Sequence, residues 1–257
     1  MNYRSIYLSR KYPYSGYGEE FDNKFRYNTW ILCNYLSRSV RKLHIPTDGE
    51  YNLLGCSITK DKDDVRIVPV NSLCISLHVS EREIKSYLAM HSEHDRFEFY
   101  FSLLERGYRL ASQTHNIPIP EFLKLHQQFR DAGYKNEWLF KKKIFREYGI
   151  KVILDHVLTS YAYHLRLTVT DMKGKYINSG YIYTTYPDDI FFNKNVRHMI
   201  VTANTLVVTD FLNHPQFECQ LEELAKGIIK STCLDENTRL YIPNENNIEK
   251  FARLRWG

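Results

Sequence analysis

The sequence predicts an α+β fold, with a helix-rich N-terminal half and a mainly antiparallel β-sheet from the C-terminal half. Three observations predict it. A capping box, Ser80-x-x-Glu83, opens a region whose apolar residues recur at helical spacing to about residue 132. From about residue 136 the period changes from 3.6 to 2. Two of the alternating segments are joined by Asp171-Met172-Lys173-Gly174, a sequence suited to a tight hairpin turn. The 257 residues read as a single domain with a soft division near 135–148: residues 1–135 are mixed, with helices within 81–132, and residues 148–257 are rich in strands.

Taken in order, residues 5–9 (SIYLS) predict a short strand, followed by a loop at YPYSGYGEE. Residues 23–43 place Tyr27, Trp30, Ile31, Asn34, Tyr35 and Val40 near helical spacing, which predicts one helix ending before His44-Ile45-Pro46. EYNLLGCSITKD and DVRIVPV predict strands around a charged turn, with Pro69 marking an edge or an end. Residues 73–79 alternate, with Leu73, Ile75, Leu77 and Val79 on one face. After them a helix is expected from about 81 to 90, with Val79 stapled against Ile84. Phe97, Tyr100, Phe101, Leu104, Tyr108 and Ala111 form one stripe, which Phe99, Leu103 and Leu110 widen into that of a central helix. Pro120 suits the first position of the next helix, which Gly133 closes.

Residues 150–159, 161–171 and 175–185 predict strands. In the second, Tyr161, Tyr163, Leu165, Leu167 and Val169 face one way, and Ala162, His164, Arg166, Thr168 and Thr170 the other. That alternation describes a sheet with one covered and one polar face. Residues 205–212 predict a further strand, and 219–230 a helix.

The 35 basic and 30 acidic side chains leave a net charge of +5, which permits an acidic partner without demanding one. Lys141-Lys142-Lys143, set among Trp138, Phe140 and Phe145, could hold a single strand through phosphate contacts and stacking; the plainer reading is a solvated face. The 20 tyrosines suit sheet and contact surfaces alike. Five scattered cysteines contain no C-x-x-C pair, as expected of a reduced, cytoplasmic protein. The sequence shows no secretion signal, and no apolar run of membrane-spanning length, so no membrane partner is expected.

Motifs that could carry chemistry each lack a necessary part. Asp188-Asp189, after Tyr186-Pro187, resembles the paired aspartates of two-metal polymerases. The nearest third carboxylate, Asp155, lies 33 residues upstream, with a hairpin between them. Pro-Asp-Asp is ordinarily a turn or a helix N-terminus. His78 and Ser80 supply one H-x-S tripeptide where a two-histidine phosphoesterase needs two. His91, His94 and Asp95 do not have zincin spacing. No phosphate-binding glycine motif and no nucleophile elbow occurs, and no cofactor or metal is expected. Arg109 and His115 have the R-x(4–6)-H spacing that resembles HEPN ribonucleases, and they are the remaining catalytic alternative.

The reading that fits this search is a cytosolic, non-catalytic protein-binding module of the inhibitor or immunity type. A protein partner is expected and a nucleic acid remains open, as does an enzyme using Arg109 and His115. The expected contact surface is the polar face with His164, Arg166 and Thr168, joined by Tyr181 and Tyr183 if the register of the next strand allows.

Overall fold

The first half of the chain builds one sheet and the second half two. In the computed structural model, residues 1–11 and 15–235 are described, without the side chains of Asn23, Tyr27, Ile190 and Phe191. The closing FARLRWG with Trp256, and residues 12–14 of the first loop, lie outside the described residues. The chain divides into two units, Met1–Lys135 and Asn136–Gly257, and its class is α+β.

The first unit runs β1 (Ser5–Arg10), α1 (Glu19–Asn28), α2 (Trp30–Leu43), β2 (Leu53–Thr59), β3 (Asp64–Val68), β4 (Ser72–His78), α3 (Glu81–Leu88), α4 (Glu93–Ala111) and α5 (Ile119–Asp131). Its sheet has the order β1-β2-β4-β3; the first three strands are parallel and β3 is antiparallel to β4. Alternation predicted most of these strands, but the parallel pairing of β1 with β2 depends on the crossover through α1 and α2, and that of β2 with β4 on the passage through β3, neither of which local pattern encodes. Ile6, Leu8, Leu54, Cys56, Ile58, Leu73, Ile75 and Leu77 form its buried face.

The expected helix over 23–43 is interrupted at Thr29. The Thr29 hydroxyl donates to the carbonyls of Phe25 (3.1 Å) and Arg26 (3.2 Å), the back-bonding that bends helices. The second piece, α2, closes the outer edge of β1. Ser37 Oγ accepts from the Ile6 N–H at 3.1 Å and lies 3.2 Å from its carbonyl. One turn earlier, Cys33 Sγ accepts from the Leu8 N–H at 3.2 Å. An edge strand is thus covered by a helix whose side chains satisfy its backbone.

The Ser80–Glu83 capping box forms as expected, with both reciprocal bonds present. The α4 stripe is the core: Phe97, Tyr100, Phe101, Leu104, Tyr108 and Ala111 are all buried. Gly107 brings α4 down on β2, since a Cβ there would lie 2.5 Å from Cys56 Sγ. Many of the tyrosines also prove to be core residues. Tyr87 and Tyr100 pair hydroxyl to hydroxyl at 2.9 Å, Tyr3 and Tyr51 at 3.2 Å, and Tyr108, Tyr163 and Tyr183 are buried as well. Burial pushes the Tyr87 phenol up to about 12, so it stays neutral as a donor and acceptor.

The second unit begins with a four-stranded antiparallel meander, β5 (Asn136–Phe145), β6 (Ile150–Leu158), β7 (Tyr163–Asp171) and β8 (Tyr176–Thr185). Helix α6 (Asp189–Asn195) follows; it begins at Asp189, in keeping with the helix-start reading of Pro-Asp-Asp. Strands β9 (His198–Thr202), β10 (Thr205–Thr209), β11 (Pro215–Gln220) and β12 (Thr232–Cys233) form a second antiparallel sheet, with α7 (Leu221–Ala225) between the last two. The helix expected over 219–230 is therefore shorter. Phe217 and Cys219 alternate with Glu218 as β11, and Gly227, at φ 77, ends the helical turn. Tyr163 stacked on Phe192 (4.0 Å) and Tyr183 tilted against Phe217 (4.5 Å) pack on the inner side of the meander.

Two substitutions test this account. Ser37→Ala leaves the buried Ile6 N–H without its acceptor and is expected to cost about 1–3 kcal/mol in a urea titration. Val70, 79% exposed, sits at φ 73 in the β3–β4 turn, a conformation β-branched residues avoid. Val70→Gly is expected to raise stability by about 1 kcal/mol in the same titration.

Candidate binding face

The side of the β5–β8 sheet away from Phe192 carries the polar face that the alternation of residues 163–170 predicts. Cross-strand pairing arranges it in rows: Val157, His164 and Thr184; Asp155, Arg166 and Tyr181; Ile153, Thr168 and Ser179. Strand β5 adds Glu137 beside Val157, Leu139 beside Asp155, Lys142 beside Ile153 and Ile144 beside Lys151.

The register is interrupted where it matters. Leu165 pairs with Tyr183 and Arg166 with Tyr181, so Ile182 is an extra residue in β8. Tyr181 therefore shares a face with His164 and Arg166, while Tyr183 faces the core at 2% exposure. The expectation, conditional on this register, is corrected for Tyr183: the register puts Tyr181 on the polar face, whereas Tyr183 packs tilted against Phe217 and its hydroxyl accepts from Asn195 Nδ2 at 3.2 Å.

Three polar groupings fix the side chains of this face. Arg166 Nη2 donates to Glu137 Oε2 at 2.7 Å and lies 3.5 Å from Asp155 Oδ2, so carboxylates on both sides hold the guanidinium. His164 stacks on Tyr181 with ring centroids 4.2 Å apart and planes within 15°, and its Nδ1 lies 2.8 Å from Thr184 Oγ1. Burial lowers the His164 imidazole to about 4, so it is neutral at neutral pH. Thr168 Oγ1 and Ser179 Oγ are 3.0 Å apart. Around these groups stand exposed apolar side chains, Leu139 (57%), Ile144 (48%) and Tyr176 (60%).

Sequence reasoning missed Glu137, Asp155 and Leu139 as members of this face. Their alternation was present from residue 136, but membership in this sheet depends on strand pairing, and the bulge between Leu139 and Lys141 disguises β5 further. The arrangement offers hydrogen-bonding and apolar contact on a rigid support. Arg166 offsets the charge of the two acids nearest to it.

The other candidates are dispersed. Arg109 Nη2 pairs with Glu105 on its own helix at 2.6 Å, whereas His115 Nδ1 lies 3.7 Å from Asp48 and its ring packs edge-on to Tyr51. His78 Nδ1 lies 3.0 Å from the Lys60 carbonyl, and Ser80 is occupied by its cap. His94 Nδ1 is 3.4 Å from Asp95, while His91 offers its carbonyl to Arg96. Compared with protein-family models, curated proteins and solved structures, the chain matches none.

The two depressed histidines set an acid limit. Burial lowers His126 to about 3 and His164 to about 4, so the unfolded chain binds their protons more tightly than the folded one. Their contribution is complete above about pH 6.5 and is lost as the pH falls toward 4 and below. Urea midpoints should drop over that range, and the drop should be smaller in His126→Phe. The His164 ring protons should titrate near 4 by NMR.

Proposed function

We propose that the chain is a non-catalytic protein-binding module whose contact surface is the outer face of β5–β8. The observation that carries this reading is preorganisation. Arg166 is locked between Glu137 and Asp155, and Tyr181 is locked by the His164 ring. Arginine and tyrosine are the side chains that most often dominate interface energies, and here neither has rotamer freedom left to lose on binding. Exposed Leu139 and Ile144 supply apolar area at one margin and Tyr176 at the other. In its narrower form, such a surface would cover the working site of a toxin or an enzyme, as inhibitors and immunity proteins do.

Affinity capture of the tagged chain after nuclease treatment provides the test. One stoichiometric protein partner is expected. Arg166→Ala and Tyr181→Ala should each weaken that complex by about 2 kcal/mol, roughly thirtyfold, with unchanged circular dichroism. Arg109→Ala and His115→Ala should leave it unaltered. If the partner is retained equally by the Arg166 and Tyr181 variants, the face is wrongly assigned. If ribonuclease activity appears in the wild type and is lost with Arg109 or His115, the chain is an enzyme instead.

A further inference from the structure

One end of the β5–β8 sheet is basic and electrically unbalanced. Ile150 pairs with Asp171, so the β5–β6 turn and the β7–β8 turn lie side by side at that end. Toward it run Lys141, Lys142 and Lys143 of β5, with Arg146 in the turn, all exposed. Lys151 of β6 and the exposed Lys173 and Lys175 of the other turn stand beside them. Several cations elsewhere are held in ion pairs, among them Lys60 with Glu81, Arg106 with Glu83, Arg130 with Glu98 and Arg166 with Glu137. Among the described residues, none of these seven cations at the sheet end forms an ion pair. The acids of the two turns, Asp171 and Glu147, do not balance them, being two against seven. The Asp171 carboxylate accepts from the backbone N–H groups of Lys173 and Lys175 at 2.8 Å each, and it acts on the Lys173 charge.

Two further features say what would neutralise this charge. Lys142 pairs with Ile153 on the outer face, whereas Lys141 and Lys143 pair with inward-facing Leu154 and Val152, so the three lysines rim the edge strand on both sides. A flat, folded acidic surface meets one side only, but a flexible polyanion can pass around the edge and reach all three. Aromatic rings also stand among the cations: Tyr176, 60% exposed between Lys175 and the outer face, and Tyr148 in an open cleft of about 470 Å³ with Arg146, Glu147, Val201, Ala203 and Leu221. A groove of cations with exposed rings is the pattern by which proteins hold single strands, through phosphate contact and base stacking.

We propose that this end of the sheet binds single-stranded nucleic acid, with the lysines on the phosphates, Tyr176 stacking on one base and the Tyr148 cleft receiving another. It shares Lys142 and Tyr176 with the margin of the Arg166 face but does not use Arg166 or Tyr181. It goes beyond the protein-binding reading, and Arg166→Ala separates the failure of one from the failure of the other.

The test is fluorescence anisotropy of a labelled 20-nucleotide oligo(U) with the full chain, across a range of potassium chloride. Binding in the micromolar range is expected at low salt, with a log–log salt slope of about −3, as four phosphate contacts on a single strand would produce. Lys142→Glu/Lys143→Glu should weaken it more than tenfold and flatten the slope. Lys85→Glu/Lys124→Glu, the same charge change on exposed residues of the first unit, should leave it within about twofold. Tyr176→Ala should cost about fivefold or more, as loss of one stacked base does. Arg166→Ala should not alter it. The proposal is overturned by no anisotropy change at about 100 µM protein in low salt. Equal weakening by the two lysine pairs also overturns it, since only net charge would then be at work. If polyglutamate competes as well as unlabelled oligo(U) while Tyr176→Ala binds normally, the occupant is an acidic protein segment instead.

Discussion

The outer face of the second unit depends on one constraint, the register of β7 against β8. Side chains alternate with a period of two, so one inserted residue changes which face everything beyond it serves. The insertion at Ile182 is what puts Tyr181 over His164 and Tyr183 against Phe217. Without it, either the core would lose the tyrosine that fills the space above Phe217, or the face would lose the ring that immobilises His164. The same meander holds Arg166 between acids from two other strands, so the face belongs to the sheet as a whole rather than to any one strand.

The first unit solves a different problem. A parallel sheet leaves one edge of β1 with N–H and C=O groups pointing away from β2, and buried backbone groups without partners are costly. Ser37 and Cys33, one helical turn apart, meet them directly, which ties the position of α2 to the strand rather than to apolar packing alone. At the other end of the strands, the Tyr17 hydroxyl sits between the carbonyls of Thr59 and Val79 and accepts the Val79 N–H at 3.2 Å. Polar side chains thus finish what the ladder leaves open. This is one reason why so many hydroxyls, including those of Tyr87 and Tyr100, lie inside.

Legibility in the sequence followed the range of the interaction. The capping box, the α4 stripe and the β7 alternation are local, and each was read where it stands. Thr29 broke an expected helix through a hydroxyl bond that apolar periodicity does not register. The strand β11 was hidden because Cys219 and Leu221 suit a helix as readily as a strand end. Of the face, alternation along one strand places His164, Arg166 and Thr168 together, whereas Tyr181 of the next strand joins them only through the register. Tyr183 could not be excluded without the bulge, and Glu137 and Asp155 could not be added without strand pairing. The abundance of tyrosine pointed outward when much of it points in, because composition counts a phenol without saying where its hydroxyl finds a partner.

The lysines of β5 occupy the terminal strand of their sheet, and charge on such a strand keeps it from pairing with the same strand of another copy. That protection is electrostatic and acts over a Debye length, which shrinks from about 10 Å at 0.1 M to about 3 Å at 1 M salt. Concentrated salt is the usual means of stripping adventitious polyanions from a basic protein during purification. For this chain it also removes the repulsion between β5 edges, so wash and storage buffers pull in opposite directions, and colloidal stability should be best where the lysines remain unscreened.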